Sequence, residues 1–308
     1  MKTYYSVIIP VYNEENNLPE LYRRLVAIFK SLDKPYEIVF VDDGSVDRSA
    51  KILARLARGN SRVKVITLSR NFGQQAAVTA GLENCSGEII TTMDADLQDP
   101  PELLPKLLSK IATGYDVVYG VSATRRDPPL RKFLFNSYYW LMERLSSYPL
   151  PQNVGIFAVM RRPIVETLLT LGERNRWLPA LRSWVGFRQI GISYEKPARF
   201  SGRSPQTVGK LFKMGFDALF SFSYLPLRLA TILGLIVTLL VFFVGLDVLY
   251  QKFVAHTAIT GWSGPMLSIV IIGGAQLIIL GIIGEYLGRI YDEVKRRPFY
   301  IISQKHGF

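Results

Sequence analysis

Two long uncharged apolar runs, residues 230–246 and 265–284, constrain this 308-residue chain more than any other feature. Each is about the 20 residues that a helix needs to cross a hydrocarbon core of roughly 30 Å. A buried helix of a soluble domain usually keeps a polar stripe, and neither run has one. The reading is a transmembrane hairpin within 226–290, its helices at about 228–250 and 265–287. Flanking charge gives the orientation. Arg228 precedes the first run, and Arg289, Lys295, Arg296 and Arg297 follow the second. In the connecting segment 251–264 the only Lys or Arg is Lys252. Both chain ends are therefore expected in the cytoplasm, with a short outer loop carrying Trp262. The apolar run at 7–9 is too short for a signal peptide, so the first half is expected to start in the cytosol as part of an integral inner- or plasma-membrane protein.

Ahead of the hairpin the pattern changes to α/β. β-branched runs at 6–11, 37–41, 63–68, 88–93 and 116–120 alternate with helical patterns at 17–31, 47–58, 74–84 and 101–113. Asp99-Pro100-Pro101 starts the last of these helices and Gly114 stops it. Such crossovers imply a mostly parallel sheet, which binds ligands beyond the carboxyl ends of its strands. Residues 1–204 are read as this domain, with a basic segment at 125–132, an aromatic-rich helix around 133–145 and further α/β material. An amphipathic pattern at 206–222 carries Lys210 and Lys213, and is expected to lie in the membrane interface within a juxtamembrane segment 205–225. Residues 291–308 remain as a cytoplasmic tail.

Composition narrows the chemistry. With 49% hydrophobic and 20% charged residues, the chain is neither disordered nor low-complexity. The 37 Lys and Arg exceed the 25 Asp and Glu by 12, which draws the protein toward an anionic partner. No nucleic-acid-reading motif occurs and the basic residues cluster near the apolar runs, so the anionic face of a bilayer explains them better than nucleic acid. One cysteine, Cys85, makes no internal disulfide, and with two histidines cannot build a Cys/His zinc site. Any metal must be held by carboxylates. No G-x-G-x-x-G follows the first strand, and 202–210 lacks P-loop spacing.

Asp94-Ala95-Asp96, at the end of an apolar strand and followed by Leu97-Gln98-Asp99, is the candidate metal site. Two carboxylates one residue apart at a strand end suit a hard cation such as Mg²⁺ or Mn²⁺, leaving positions for diphosphate oxygens and water. Asp-x-Asp alone is weak evidence. Here Asp42-Asp43-Gly44-Ser45 ends the second strand and Tyr12-Asn13-Glu14 the first, so three polar clusters should meet in one cleft.

Val7-Ile-Ile-Pro-Val-Tyr-Asn-Glu14, Val41-Asp-Asp-Gly-Ser45, Asn71-Phe-Gly73, Gly87 to Met93 and Asp94 to Pro101 resemble the inverting family 2 glycosyltransferases of GT-A fold. Within these, the chain is similar to the polyprenyl-phosphate glycosyltransferases. It resembles the dolichol-phosphate mannose synthases and, more closely, the bactoprenol glucosyl transferases. The closer match rests on Glu173 to Trp177, Leu181 to Phe187, Tyr194, Arg199 to Ser204 and Ser221 to Arg228. The resemblance covers nearly the whole chain. It implies a nucleotide-sugar pocket at Pro10, Tyr12, Glu14, Asp42, Asp43 and Asp94, and a metal trio of Asp94, Asp96 and Gln98. It further implies phosphate contacts at Arg199 and Arg203, and Arg131 or Lys132 as catalytic grips on the acceptor phosphate. The implied reaction moves a hexose, most closely glucose from UDP-glucose, onto a polyprenyl phosphate such as undecaprenyl phosphate.

Two positions depart from the family pattern. Ser122 stands where members often carry Arg, a loss that Arg125 or Arg126 would offset. Ile156 stands where many carry an Asp proposed as base. A phosphate monoester has a second pKa near 6, so it is largely dianionic at neutral pH and needs no base. Three other readings compete with it: GDP-mannose as donor, a processive polysaccharide synthase and a catalytically silent membrane scaffold. Glu173 to Trp177 is similar to the Q-x-x-R-W motif of the synthases, but Glu replaces Gln and two spans are few for a polymer channel. Ile156 favours the scaffold, and the intact Asp94, Asp96 and Gln98 oppose it. Gly274, Gly281, Gly284 and Gly288 share one helical face, which favours close packing in the hairpin or a homo-oligomer. Glu285 is placed to pair with a basic neighbour.

Overall fold

The computed structural model describes residues 3–123, 153–174, 176–197, 225–255 and 263–308. Two units are present: Met1–Glu143, Tyr148–Pro205 and Arg297–Phe308 form the first, and Arg144–Ser147 with Gln206–Arg296 the second.

The first unit is an α/β domain around one sheet. Its strands are β1 (Tyr5–Val11), β2 (Tyr36–Asp42), β3 (Val63–Leu68), β4 (Ile89–Thr92), β5 (Val117–Ser122), β6 (Val154–Arg161), β7 (Gln189–Tyr194) and β8 (Ile302–His306). Between them lie α1 (Leu18–Ser31), α2 (Ser49–Gly59), α3 (Gln74–Asn84), a 3₁₀ turn at Pro101–Leu103, α4 (Leu104–Ala112), α5 (Arg162–Thr170) and α6 (Leu178–Trp184). Strand order is β7-β5-β6-β4-β1-β2-β3-β8. The core β4-β1-β2-β3 is parallel, as is β5-β7, whereas β6 runs antiparallel between β4 and β5 and β8 runs antiparallel on β3. The sheet is mostly parallel, as the crossovers predict.

Side-chain alternation sorts the strands onto two cores. Val7, Ile9, Ile38, Phe40 and Val118 join Leu21, Leu25 and Phe29 of α1 and Leu104, Leu107 and Ile111 of α4 on one face. Ile8, Val39, Val41, Ile90, Ile156 and Met160 face α3, α5 and α6 on the other. Helix α3 is built of small residues because it is buried along its length, from Ala76 to Leu82. Its Gly81 sits so close to β1 that a Cβ there would fall 2.1 Å from Ile8 Cγ2.

At the amino end of β2, remote from the strand ends that carry the polar clusters, Glu37 is buried. It accepts hydrogen bonds from Ser6 Oγ and from the Ser86 amide at 2.6 Å, and pairs with Lys64 at 2.6 Å. Burial pushes its carboxyl up, but Lys64, Ser6 and Ser86 together hold it below its ordinary value. The lowered value means the stabilisation is present above about pH 4.3, the unfolded carboxyl's pKa, and is lost as pH falls through the folded one. Glu37→Gln should therefore cost about 2 kcal/mol at pH 7, with the gap to wild type closing below about pH 4 in denaturant titrations.

The second unit holds α7 (Leu225–Phe253) and α8 (Ser263–Val294). Each contains a stretch long and apolar enough to cross a membrane, Leu229–Gln251 with mean hydropathy 2.8 and Ile271–Val294 with 1.7. The two helices meet at Gly234, where a Cβ would lie 3.6 Å from Ile279 Cδ1. The glycine face of α8 is not part of that contact: a Cβ on Gly274, Gly281, Gly284 or Gly288 meets nothing within 4 Å. Glu285 pairs with Arg289 at 2.8 Å, one turn on. The amphipathic segment 206–222 lies outside the described residues.

Candidate functional site

The register brings the three polar clusters side by side. Val11 pairs with Asp42 across β1 and β2, and the Asp43 amide donates to Val11 O at 2.8 Å. On the other flank Ile8 pairs with Thr92, and the Met93 amide donates to Ile8 O at 3.1 Å. The segments after β2, β1 and β4 therefore leave the sheet as neighbours, as the sequence implies.

Their loops are held by side chain to backbone bonds. Asn13, at φ 56°, accepts from the Val46 amide at 2.9 Å, and its own amide donates to Ser45 Oγ at 3.1 Å. The Glu14 amide donates to Ser49 Oγ at 3.0 Å, while Glu14 accepts from Asn17. Asp42 accepts from the Ser45 amide at 3.0 Å. Gly44 is required between them: its φ is 71°, and a Cβ would lie 2.6 Å from the Arg70 carbonyl carbon. Asp43, 2% exposed, accepts from the amides of Phe72 at 2.7 Å and Gly73 at 2.9 Å. Burial outweighs those two amides and leaves its carboxyl above the ordinary range. Pro10 lies within β1, and Tyr12 beyond it is 46% exposed, free to present its ring.

At the end of β4 Asp94 is partly exposed and Asp96 is buried. Asp94 accepts from Gln74 at the start of α3, and Asp96 accepts from the Gln98 amide at 3.1 Å. The intervening Leu97 takes φ 60°, a left-handed conformation costly for a branched side chain and a mark of a constrained loop. Burial first, then the charges of Asp99 and Asp96, push the Asp94 carboxyl up to about 7.

Asp99 is more than helix punctuation. It is buried, accepts from Tyr194 Oη and faces Lys196 Nζ at 3.9 Å. Burial raises its carboxyl as well, against the pull of Lys196 and Tyr194. The Tyr194 hydroxyl is pushed far above its usual value, by burial and then by Asp99, so it remains a donor. Gln74 and Lys196 are site residues that no local motif announces, and Asp99 and Tyr194, though they lie in segments that carry the family resemblance, acquire their mutual contact only in the fold. Arg125, Arg126, Arg131, Lys132, Arg199 and Arg203 lie outside the described residues.

No three His, Cys, Asp or Glu side chains among the described residues form a metal cage. The donor set fits a different mode. Asp94 and Asp96 offer two hard carboxylates whose mutual repulsion, joined by Asp99, outweighs the pull of Lys196 and the Gln74 hydrogen bond on Asp94, and Mg²⁺ or Mn²⁺ commonly takes one or two carboxylates and completes its shell with substrate phosphate and water.

The model of the family described as Glycosyl transferase family 2 matches residues 6–169. An uncharacterized glycosyltransferase of Synechocystis is 39% identical over 303 residues, 98% of this chain and 95% of that protein. The SfII prophage-derived bactoprenol glucosyl transferase of Shigella flexneri is 38% identical over 304 residues, 98% of each chain. Among solved structures, glucosyl-3-phosphoglycerate synthase from Mycobacterium tuberculosis aligns at 19% identity and TM-score 0.47, over 71% of this chain and 78% of that one.

Proposed function

Because this chain belongs to glycosyl transferase family 2, we propose that it transfers a hexose, glucose from UDP-glucose, to a polyprenyl phosphate at the cytoplasmic face of a membrane. What supports the acceptor is the end-to-end similarity to a bactoprenol glucosyl transferase together with two helices of spanning length. The observation that carries the chemistry is the Asp94–Asp96 pair set beside the Asp42–Asp43 and Tyr12–Glu14 loops.

In this reading Asp43, Asp42, Pro10, Tyr12 and Glu14 receive the nucleotide, with Tyr12 offering an exposed ring to stack on the base. Asp94 and Asp96, with Gln98 beside them, hold Mg²⁺ or Mn²⁺, which when bound supplies charge neutralisation for the leaving diphosphate. A phosphate oxygen of the acceptor bonds to the sugar's anomeric carbon as the bond to the nucleoside diphosphate breaks on the opposite face, inverting the centre. The acceptor is already a dianion at neutral pH, so no residue need remove a proton. Ile156 fits this: its side chain is buried in the apolar core with α3, α5 and α6 rather than set at a reacting centre. The basic residues at 125, 126, 131, 132, 199 and 203 bring the two anions together.

The test is nucleoside diphosphate release by detergent-purified protein with Mg²⁺ or Mn²⁺, with and without undecaprenyl phosphate, comparing UDP-glucose with GDP-mannose. Lipid-dependent release from UDP-glucose is the expected result. Lipid-independent hydrolysis, or release from neither donor, would overturn the proposal. At the nucleotide, Asp43→Asn turns one carboxylate oxygen into an NH₂ that faces a backbone donor. UDP affinity by calorimetry should drop on the order of 10-fold, the loss of a charge-assisted bond.

A further inference from the structure

Arg182 of α6 is only 1% exposed, and its Nη1 and Nη2 have no hydrogen-bond partner among the described residues. Its backbone carbonyl is satisfied by Gln189 Nε2 at 2.6 Å, so the vacancy belongs to the guanidinium alone. The guanidinium stacks on the Tyr119 ring, 4.7 Å from its centroid. That ring has its own seat: Gly191 lies beneath it, where a Cβ would come 3.0 Å from Tyr119 Cε2. Stacking satisfies the face of a guanidinium but none of its in-plane N–H donors. Burial pushes Arg182 down to about 10, which leaves it charged at neutral pH. A buried cation whose fork of donors is empty destabilises the free protein, so what it awaits is an anion.

Position selects which anion. Leu178, first residue of α6, donates its amide to Gln75 Oε1 at 3.0 Å, and the adjacent Gln74 is bound to Asp94. Tyr119 and Thr92 both pair with Ala158, so the Arg182 platform lies level with the last residue of β4, two residues short of Asp94. It stands two strands, about 10 Å, from β4, on the opposite side of β4 from β2 and Asp43. The nucleotide half of the sheet is thus on one flank of Asp94 and Arg182 on the other. Building on the transferase reading above, we propose that Arg182 binds the phosphate monoester of the acceptor, its two free nitrogens taking two phosphate oxygens side by side. A planar fork matches a phosphate in a way that a point charge does not.

The test compares the full-length wild type with Arg182→Met and Arg182→Lys in detergent, by thermal unfolding and by kinetics. Farnesyl phosphate should raise the wild-type Tm, farnesol should not, and Arg182→Met should lose the response while its ligand-free Tm is equal to or above that of wild type. In turnover, the KM for undecaprenyl phosphate should rise at least 10-fold in Arg182→Met and less in Arg182→Lys, with the KM for UDP-glucose within 2-fold of wild type. A fall in the ligand-free Tm of Arg182→Met would show an internal partner, and a rise in the KM for UDP-glucose instead would place the donor's diphosphate there. Either result overturns the proposal, as does an unchanged farnesyl phosphate response in the variant or no response in the wild type. If Arg182→Met does not fold, Arg182→Lys decides by the same readings. Farnesyl phosphate binding that depends on Arg182, without turnover, would sink the transferase reading and leave the anion site standing.

Discussion

Asp96→Ala is expected to lower the rate of nucleoside diphosphate release about 1,000-fold, equivalent to about 4 kcal/mol of lost transition-state stabilisation. The argument is electrostatic. Asp96 is 7% exposed and one of three carboxylates crowded at the end of β4, where charge acts through less water than at the surface. Removing it relieves repulsion on Asp94, so the fold should not suffer, and Tm should hold or rise. Asp96→Asn separates the two roles of the side chain. It keeps an oxygen to accept the Gln98 amide, which lies 3.1 Å from Asp96 Oδ1, yet loses the charge. If Asp96→Asn kept more than a tenth of wild-type activity, a charged metal ligand at this position would be excluded. Excess Mn²⁺ should partly restore Asp96→Asn and leave Asp96→Ala unchanged.

The second large effect is on stability. Ending the chain at Arg296 should lower the Tm of the α/β unit by about 10 °C, from roughly 3–4 kcal/mol of lost contacts at about 2–4 °C for each. Strand β8 covers the free edge of β3, and the Ser69 amide donates to Ile301 O at 2.9 Å just beyond the ladder. Tyr300 donates to Glu83 and Lys305 Nζ reaches Asn84 Oδ1 at 2.6 Å, so the C-terminal segment also ties down the end of α3. The start of α3 holds Asp94 and α6 through Gln74 and Gln75. Without β8 the bared edge of β3 invites intermolecular pairing, so aggregation should accompany the loss. A change in Tm below about 2 °C would show that the strand is an ornament on the edge rather than part of the unit.

Much of the α/β unit was legible because its elements are written locally. Strand β3 and helix α3 begin and end where periodicity places them, and β1 and β2 extend by a residue or two beyond their apolar runs. Parallel strands buried on both faces read as continuous β-branched runs, and the turn residues after them are hard to mistake. Strand β8 left no such mark. Ser303 to His306 are polar and exposed, since an edge strand buries little and needs no alternation, and a tail was the natural reading of residues 291–308. Asp99 was legible only in part: the helical segment does begin at Pro101 just after it, but its partners, Tyr194 and Lys196, come from β7 and the segment after it, nearly a hundred residues on.

By itself the sequence determined the alternation of strands and helices, the two helices of spanning length and the carboxylates at neighbouring strand ends. All three follow from short-range rules: which residues repeat at periods of two or 3.6, and which residue types stop a strand. Tertiary structure alone decided that β6 inserts antiparallel between β4 and β5, that β8 covers the β3 edge, and that Gln74 binds Asp94 while Arg182 is buried against Tyr119 with its Nη1 and Nη2 unbonded among the described residues. Those outcomes depend on the order in which strands meet across the sheet. No local pattern encodes that order, because a strand's own residues specify which face is buried but not which strand lies beside it.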